Sequence, residues 1–485
     1  MALNSSGPIS LAGSTTGQSI ALELGKASTA QTALNDSDVR GLAGVASGAI
    51  TMPTNFWGKS SVDLYLKKSK SSNVLGNTYG NSTQNISIAP GGEVAETFFD
   101  SNTSSAILQY TNAAASITWS KATAGNPSHL NVHIDPSTGY VIWAMAFSSN
   151  PVSGWGGTVV LVFNSSGTLL WQKGITYGGT GASQPRVRSL ATAFGIVFIG
   201  WSEGNPRFGV MALNLSNSAF ISCHYCNNSF TEAAAVVYDT AYDRIYGTIF
   251  SGISHAVGLI NPSTNAYAEY KFTSTSSPYP SNPPMTSIHL GSNVFFNGVY
   301  NGTGIVWKMS RGTMTPTGAG TYPTISSAYI LGVKGDRKGS TSSLYFTVQG
   351  YSYPNFSVYR TNSSGTSLST TRRWYRSSGP SVYSFMSVDV YSPYLASTGY
   401  IEDAHPAKLG AYSTRVLENM TSTYNTTIDG YAYTYNAIGN AFSTTSQPTF
   451  QSNSGGSYGG NTNFTSSISL TVTSASGITN YINTL

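Results

Sequence analysis

The chain has 485 residues, of which 9% are Asp, Glu, Lys or Arg, while Tyr (31), Phe (20) and Trp (8) are plentiful and Gly numbers 51. So few charges among so many aromatics exclude disorder driven by charge, and equally a coiled coil, which needs abundant Glu, Lys, Leu and Ala at heptad spacing. A net charge of +5 spread over the whole chain makes no dense basic face, which argues against nucleic acid as a partner.

The longest apolar runs, residues 158–163 and 195–201, are strand-length, far short of the roughly 18–20 residues that cross a bilayer. The N-terminus lacks a basic stretch followed by an apolar core, so no secretory signal is expected. Two cysteines cannot staple a chain of this length, so stability must come from burial. The expectation is a protein made and kept in a cytoplasm, with an uncharged Ser/Thr/Asn/Gly/Tyr surface.

In chain order, residues 1–60 carry two short helical stretches, near 19–24 and 37–42, the second preceded by an Asn35-Asp36-Ser37 cluster suited to capping. Residues 61–92, rich in Ser, Asn and Gly and following Lys59 with Lys67, Lys68 and Lys70, read as an exposed linker that buries little. From about 93 to 440 the sequence repeats as strand, polar turn, strand. The turn marks Asn112, Asn164, Asn214, Asn261, Ser310, Asn362 and Ser413 lie 47 to 52 residues apart, with the copy ending at Ser413 the weakest. A second hairpin falls between the marks, at residues 133–144, 237–246 and 289–296.

Each unit thus supplies about four strands joined by Gly/Asn/Asp turns, the blade of a seven-bladed β-propeller. Sheets set around an axis cover one another's faces and leave only short edges. A β-sandwich array is an alternative; a β-helix needs shorter rungs. The first unit, 93–125, lacks its leading hairpin on this reading, and residues 429–436 or the tail are expected to complete it. Residues 441–485 form an accessory strand region, in which 468–473 alternate like a half-buried strand. A terminal cap, a partner-pairing strand and ring-closing material all remain open for it.

Carboxylates are scarce, so a catalytic pair would stand out. Asp135, Asp239, Asp243 and Asp336 fall in or beside repeat turns, where Asp accepts local backbone hydrogen bonds. Glu402, Asp403 and His405 make the one compact polar cluster, in a Gly/Pro-flanked loop. Cys223-His224-Tyr225-Cys226 lacks the second ligand pair of a zinc site, so two thiols or a local disulfide is the plainer reading. His129 and His133 share a strand face but sit too far apart to chelate as a pair. Ser457 lies in a Gly-x-Ser-x-Gly sequence, but without the strand before and helix after that a nucleophile elbow requires. The sequons at Asn102, Asn164, Asn362 and Asn425 are what a Ser/Thr/Asn-rich chain produces by chance. No catalytic residue, cofactor or metal is assigned. Loops rich in Tyr, Ser, Gly and Asn suit adaptable binding, which makes Tyr279, Tyr351, Tyr353, Phe356, Tyr391 and Tyr394 the candidate binding residues, their ring faces able to stack on sugars.

Two resemblances add to this. Asp135-Pro136-Ser137-Thr138-Gly139 followed by Trp143 resembles the docking motif of quinoprotein propellers, where the Trp locks blade to blade; one copy implies a blade and no quinone. Residues 3–25 (LNSSGPISLAGSTTGQSIALELG), 35–45 (NDSDVRGLAGV) and 47–60 (SGAITMPTNFWGKS) resemble a module found at the N-termini of tail and tail-fibre proteins of tailed bacteriophages. The resemblance implies a virion structural protein, assembled in the host cytoplasm and docked to other tail or baseplate proteins through residues 1–60. The function expected is a non-enzymatic fibre or baseplate-attached adhesin, likewise a homo-oligomer by fibre habit, contacting a host surface glycan or protein. The rivals are a purely structural scaffold and a polysaccharide depolymerase.

Overall fold

The computed structural model describes residues 3–4, 6–24, 26–43, 45, 48–57, 64–70, 75–76, 84–101, 103–147, 157–176, 185–203, 207–227, 232–251, 254–264, 266–273, 288–291, 293–300, 303–311, 316–321, 329–338, 343–349, 356–362, 369–376, 382–391, 394–401, 407–413, 424–428, 431–437, 443–444, 451–453, 457–459, 463–476 and 478–484. Two units separate by their internal packing, Met1–Tyr65 with Thr484–Leu485, and Leu66–Asn483.

In the first unit the Ser19 hydroxyl accepts the Leu22 N–H at 3.3 Å and caps the one-turn helix Ile20–Glu23. The second helix, Ser37–Ala43, starts at the expected Asn/Asp/Ser cluster. Ile20, Val39, Leu42 and Ala43 pack with Leu3 and Phe56 into a small core. The Trp57 indole donates to the Gly7 carbonyl at 2.8 Å and ties the two ends of the segment together, while its ring stays exposed.

The second unit is a closed ring of seven antiparallel sheets, the seven-bladed β-propeller that the repeat predicts. Blades 2 to 6 are each continuous in sequence, their four strands running in chain order from the axis outward. Blade 2 is Pro127–Ile134, Val141–Phe147, Gly157–Phe163 and Leu169–Ile175. Blade 3 is Arg186–Ala193, Ile196–Glu203, Arg207–Asn214 and Phe220–Asn227, and blade 4 is Glu232–Asp239, Arg244–Ser251, Ser254–Asn261 and Ala266–Thr273. Blade 5 is Ile288–Leu290, Asn293–Tyr300, Thr303–Ser310 and Pro316–Thr321, and blade 6 is Tyr329–Gly335, Ser343–Gln349, Phe356–Asn362 and Ser369–Arg376. The inner strands of neighbouring blades touch all the way round, the seventh against the first included.

Middle strands such as Val141–Phe147 and Gly157–Phe163 are buried at every residue because a blade covers each face. Strand alternation divides them between two cores. Val141, Trp143, Met145 and Phe147 pack with blade 1, whereas Ile142, Ala144 and Ala146 pack with blade 3. Each large apolar side chain so buried contributes about 1.5–3 kcal/mol.

Blades 1 and 7 depart from the expected plan. Blade 1 does not borrow residues 429–436. Its inner position is filled by its own Ile86–Ile88 and Leu75–Gly76, both pairing Val94–Asp100, followed by Ser105–Thr111 and Ile117–Ala124. The blade that lacks a strand is the seventh, Val382–Tyr391, Tyr394–Ile401 and Ala407–Ser413, and Leu64–Lys70 supplies it. The stretch read as an exposed linker is therefore partly ring: Lys67 and Ser69 are buried, and Lys67 forms an ion pair with Glu96 while donating to Gln109 at 2.9 Å. Polar composition suggested exposure, but the partners of Lys67 lie across the seam in blade 1 and that of Ser69, Asn480, lies at the far end of the sequence.

The tail is neither a cap nor a loose strand. It runs backward around the ring and adds an outer strand to every blade: Tyr431–Ala437 to blade 6, Ser443–Thr444 to 5, Gln451–Asn453 to 4, Ser457–Gly459 to 3, Thr465–Ser466 to 2 and Val472–Ser474 to 1. Thr479–Thr484 ends the belt on blade 7, outside Leu64–Lys70. Tyr424–Ile428 forms a hairpin on the strand in blade 6. Buried Phe464 and Leu470 plug the outer clefts between blades 2 and 3 and between blades 1 and 2, and residues 468–473 alternate between partly buried and exposed as their sequence pattern predicts. A belt of this kind covers the edges that would otherwise invite pairing with other chains.

Candidate functional site

Three sets of polar residues are held at defined positions. The first lies on the inner strands. A register shift between Val187 and Ser189 sets off Arg188, whose Nε donates to Ser202 Oγ at 2.6 Å and whose Nη1 donates to His129 Nε2 at 3.0 Å. Because arginine only donates, His129 carries its proton on Nδ1, 3.0 Å from Ser128 Oγ. Burial and the Arg188 guanidinium hold this imidazole well below its usual range. His133 is held low by burial and by Arg337, with Gln84 Nε2 at 3.3 Å and Thr192 Oγ1 at 3.1 Å on its two nitrogens. Gln84 also donates to the Leu190 carbonyl at 3.0 Å and accepts the Leu190 N–H at 2.8 Å, imitating a strand partner.

The second set closes the ring from inside. Arg337 follows the inner strand of blade 6 and reaches Asp389 of blade 7 at 2.9 Å, the Ile88 carbonyl of blade 1 and the Ile134 carbonyl of blade 2 at 3.2 Å. Asp389 Oδ2 also accepts from Ser87 Oγ at 3.1 Å and from the Ile88 N–H at 2.9 Å. One guanidinium and one carboxylate thereby join four blades.

The third set docks blade to blade. Trp143 of the quinoprotein-like motif donates from Nε1 to Thr97 Oγ1 of blade 1 at 2.8 Å, the lock that the resemblance implies. Trp119 and Trp171, on the fourth strands of blades 1 and 2, donate to the carbonyls of Ser165 and Leu215 in the next blade at 2.9 and 2.7 Å. Arg311, in the variant turn of blade 5, grips Asp239 of blade 4 through Nε at 2.6 Å and Nη2 at 2.5 Å, and lies over the Tyr242 ring.

The turn aspartates are structural, as their positions predict. Asp135, Asp239 and Asp336 accept the N–H groups of Thr138, Ala241 and Lys338 at 2.9, 3.0 and 3.0 Å. Asp243 accepts from the Tyr238 hydroxyl at 2.9 Å and from Ser263. Burial would raise the Asp135 carboxyl, but hydrogen bonds from Ser137 and Thr138 outweigh it and hold the group below its usual value. Glu203 shows the opposite balance, burial pushing it up to about 7 against the attraction of Arg207. Cys223 and Cys226 are buried thiols, not a disulfide, and burial pushes Cys223 up to about 12, which makes it a poor nucleophile. Ser457 starts a belt strand opposite Asn227, at the outer edge of blade 3. Among the described residues no three His, Cys, Asp or Glu side chains are grouped to hold a metal.

Of the candidate binding residues, Tyr279, Tyr351 and Tyr353 lie outside the described residues, as do Glu402, Asp403 and His405. Phe356 opens the third strand of blade 6, opposite Gln349. Tyr391 and Tyr394 face each other across the first turn of blade 7 and are half-buried. Arg337 sits 5.7 Å from the centre of the Tyr391 ring, and Tyr394 packs so closely on Gly92 that a Cβ there would lie 2.8 Å from its Cε1. Tyr391 therefore serves the junction of blades 6 and 7, and Tyr394 the seam between blades 7 and 1.

Sequence reasoning missed a different set. Phe194 is 89% exposed and Tyr242 49%, each in the turn after the inner strand of adjacent blades 3 and 4. The Phe198 and Tyr238 rings, four residues below those turns, are 4.7 Å apart, so the two tips are neighbours on one rim. Leu170 and Ile221, also exposed, are the second residues of the fourth strands of blades 2 and 3, on the same rim. Phe194 has φ +54°, left-handed for a bulky residue. The available signal was a Phe-Gly pair between two strands, where a two-residue hairpin favours Asn-Gly.

No protein-family profile matches the chain, and no curated protein does. Among solved structures the chain is similar to the WD40 domain of Toxoplasma gondii coronin, with 13% identity, 73% of this chain and 89% of that one covered, and a TM-score of 0.45. It is similar to the Dos1 propeller at 10% identity, 76% and 95% coverage and a TM-score of 0.37, and to the NanB sialidase of Streptococcus pneumoniae at 7% identity, 70% coverage of each chain and a TM-score of 0.36. These likenesses say nothing of activity; the propeller itself is read from the strand order.

Proposed function

We propose that the chain is a non-enzymatic tail component of a tailed bacteriophage, attached to the particle through residues 1–60 and contacting the host surface with the propeller. The observation that carries this is the behaviour of the stretches that resemble the virion module. Residues from all three, Leu3, Ile20, Val39, Leu42 and Phe56 among them, bury one another in a core of their own, in a unit distinct from the ring. A segment that satisfies its own apolar residues can be carried by unrelated cargo, which is what a shared attachment module requires. Exposed Trp57 in that unit is the residue type that anchors interfaces. On the ring, Phe194 and the face of Tyr242 turned away from Arg311 lie on a rim that also carries Asn, Ser and Thr side chains, a surface suited to stacking on the pyranose rings of a neutral polysaccharide.

The test uses full-length variants with two readouts. Trp57→Ala abolishes incorporation into particles and leaves binding of the purified protein to host cells intact. Phe194→Ala with Tyr242→Ala abolishes cell binding and leaves incorporation intact. Density for intact particles that places the chain inside the tail with its rim covered would overturn the adhesin reading in favour of a scaffold, and release of sugar from purified host polysaccharide would overturn the non-enzymatic one.

A further inference from the structure

The last strand of the belt differs from the six before it. Each earlier one lies on a strand that is continuous with its own blade; in blade 7 it lies on Leu64–Lys70, which arrives from the other end of the chain. Leu64–Lys70 closes the ring, with Ala407–Ser413 on its inner edge and Thr479–Thr484 on its outer edge. Ser69 Oγ donates to Asn480 Oδ1 at 2.6 Å, joining the two ends of the chain side chain to side chain. Lys67, from the same strand, is held by Glu96 and Gln109 of blade 1.

We infer that Thr479–Thr484 is a latch: the N-terminal strand closes the ring, and the C-terminal strand keeps it closed by holding that strand's free edge. A strand that no hairpin ties to its blade, paired along one edge, opens at little cost; held along two edges, it must break both ladders before it leaves. The latch is itself well placed to re-close. Val472–Ser474 is fixed on blade 1, and Ala475 N–H reaches the Ser120 carbonyl at 3.3 Å, so only a few residues separate the latch from its anchor and its effective concentration is high. The seam between blades 7 and 1 is thus held in three places, on the axis by Asp389 with Ser87 and Ile88, between the sheets by Lys67 with Glu96, and at the periphery by the latch. Without the latch, this seam opens before any other.

Amide hydrogen exchange of two variants tests this, with residues 64–70 as the reporter and residues 141–147 of blade 2 as the internal reference. In a chain ending at residue 476, exchange over 64–70 rises about tenfold while that over 141–147 stays at the parent rate. Since a shortened chain can fail to fold, full-length Asn480→Ala is measured beside it; losing the Ser69 acceptor speeds exchange over 64–70 about threefold. Parent-like exchange over 64–70 in Asn480→Ala, or a rise of equal size over 141–147, would overturn the latch.

Discussion

Lys67 and Glu96 meet with both side chains out of solvent, at 1% and 0% exposure, in the seam that completes the ring. Lys67→Met keeps much of the length of the aliphatic stem and removes the charge. Glu96 is then a buried carboxylate that has lost the Lys67 cation, and its cross-strand neighbour Gln109 supplies no charge. Breaking one side of a buried ion pair costs about 3–5 kcal/mol. Native domains hold about 5–15 kcal/mol in total, so the single variant stands close to unfolding. Lys67→Met with Glu96→Leu removes both charges together with their desolvation, and apolar replacement of a whole pair is neutral to stabilising by about 1–4 kcal/mol. The double variant therefore recovers most of the loss. Urea unfolding followed by tryptophan fluorescence measures both: the midpoint falls for the single variant and returns for the double, with the slope unchanged. A single variant within about 1 kcal/mol of the parent, or a double variant as unstable as the single, would refute this account of the seam.

Further outcomes follow from the same geometry. His129 and His133 are buried and held below the ordinary imidazole value of 6.5, so the unfolded chain takes up protons in acid that the folded chain refuses. Stability is complete above pH 6.5 and falls as pH drops, by up to about 1.4 kcal/mol per pH unit for each histidine; urea midpoints from pH 7 down to 5 show it, and His133→Gln makes the decline shallower. Gly167→Ala places a Cβ 2.9 Å from the Trp119 ring at a backbone φ of +81°. It costs about 2 kcal/mol, which calorimetry reads as a lowered Tm.

The propeller was legible because its turns recur. In blades 1 to 3 the residue at the end of the third strand or just after it, Asn112, Asn164 and Asn214, accepts backbone N–H groups of the following turn through its side-chain oxygen. The copy at Ser413 looked weak for a physical reason: its outer neighbour is Leu64–Lys70, so no local hairpin follows it. The belt was illegible for another. Strands of two or three residues such as Ser443–Thr444 and Gln451–Asn453 are too short for any periodicity, and blade edges determine where they pair. Lys67 misled because a lysine in a Ser/Asn-rich stretch reads as solvated, and nothing local announces an acceptor in the neighbouring blade. Among the candidate tyrosines, sequence alone could not separate a ring that greets a ligand from one that packs on Gly92 or Arg337.

Phe194 offers the sharpest separation of fold from function. Its hairpin needs two left-handed residues, and φ is +54° at Phe194 and +71° at Gly195. Folding gains nothing from a phenylalanine there: the ring is 89% exposed, so it buries almost no surface, and its Cβ strains the backbone. Asn tolerates that conformation and is the residue such a turn favours. Phe194→Asn should therefore raise stability by about 1 kcal/mol while weakening attachment to host cells. Stability and binding moving in opposite directions would mark the residue as kept for contact rather than for the fold. Unchanged binding in the stabilised variant would remove the rim of blades 3 and 4 from the contact surface and leave the exposed aromatic without a purpose in this scheme.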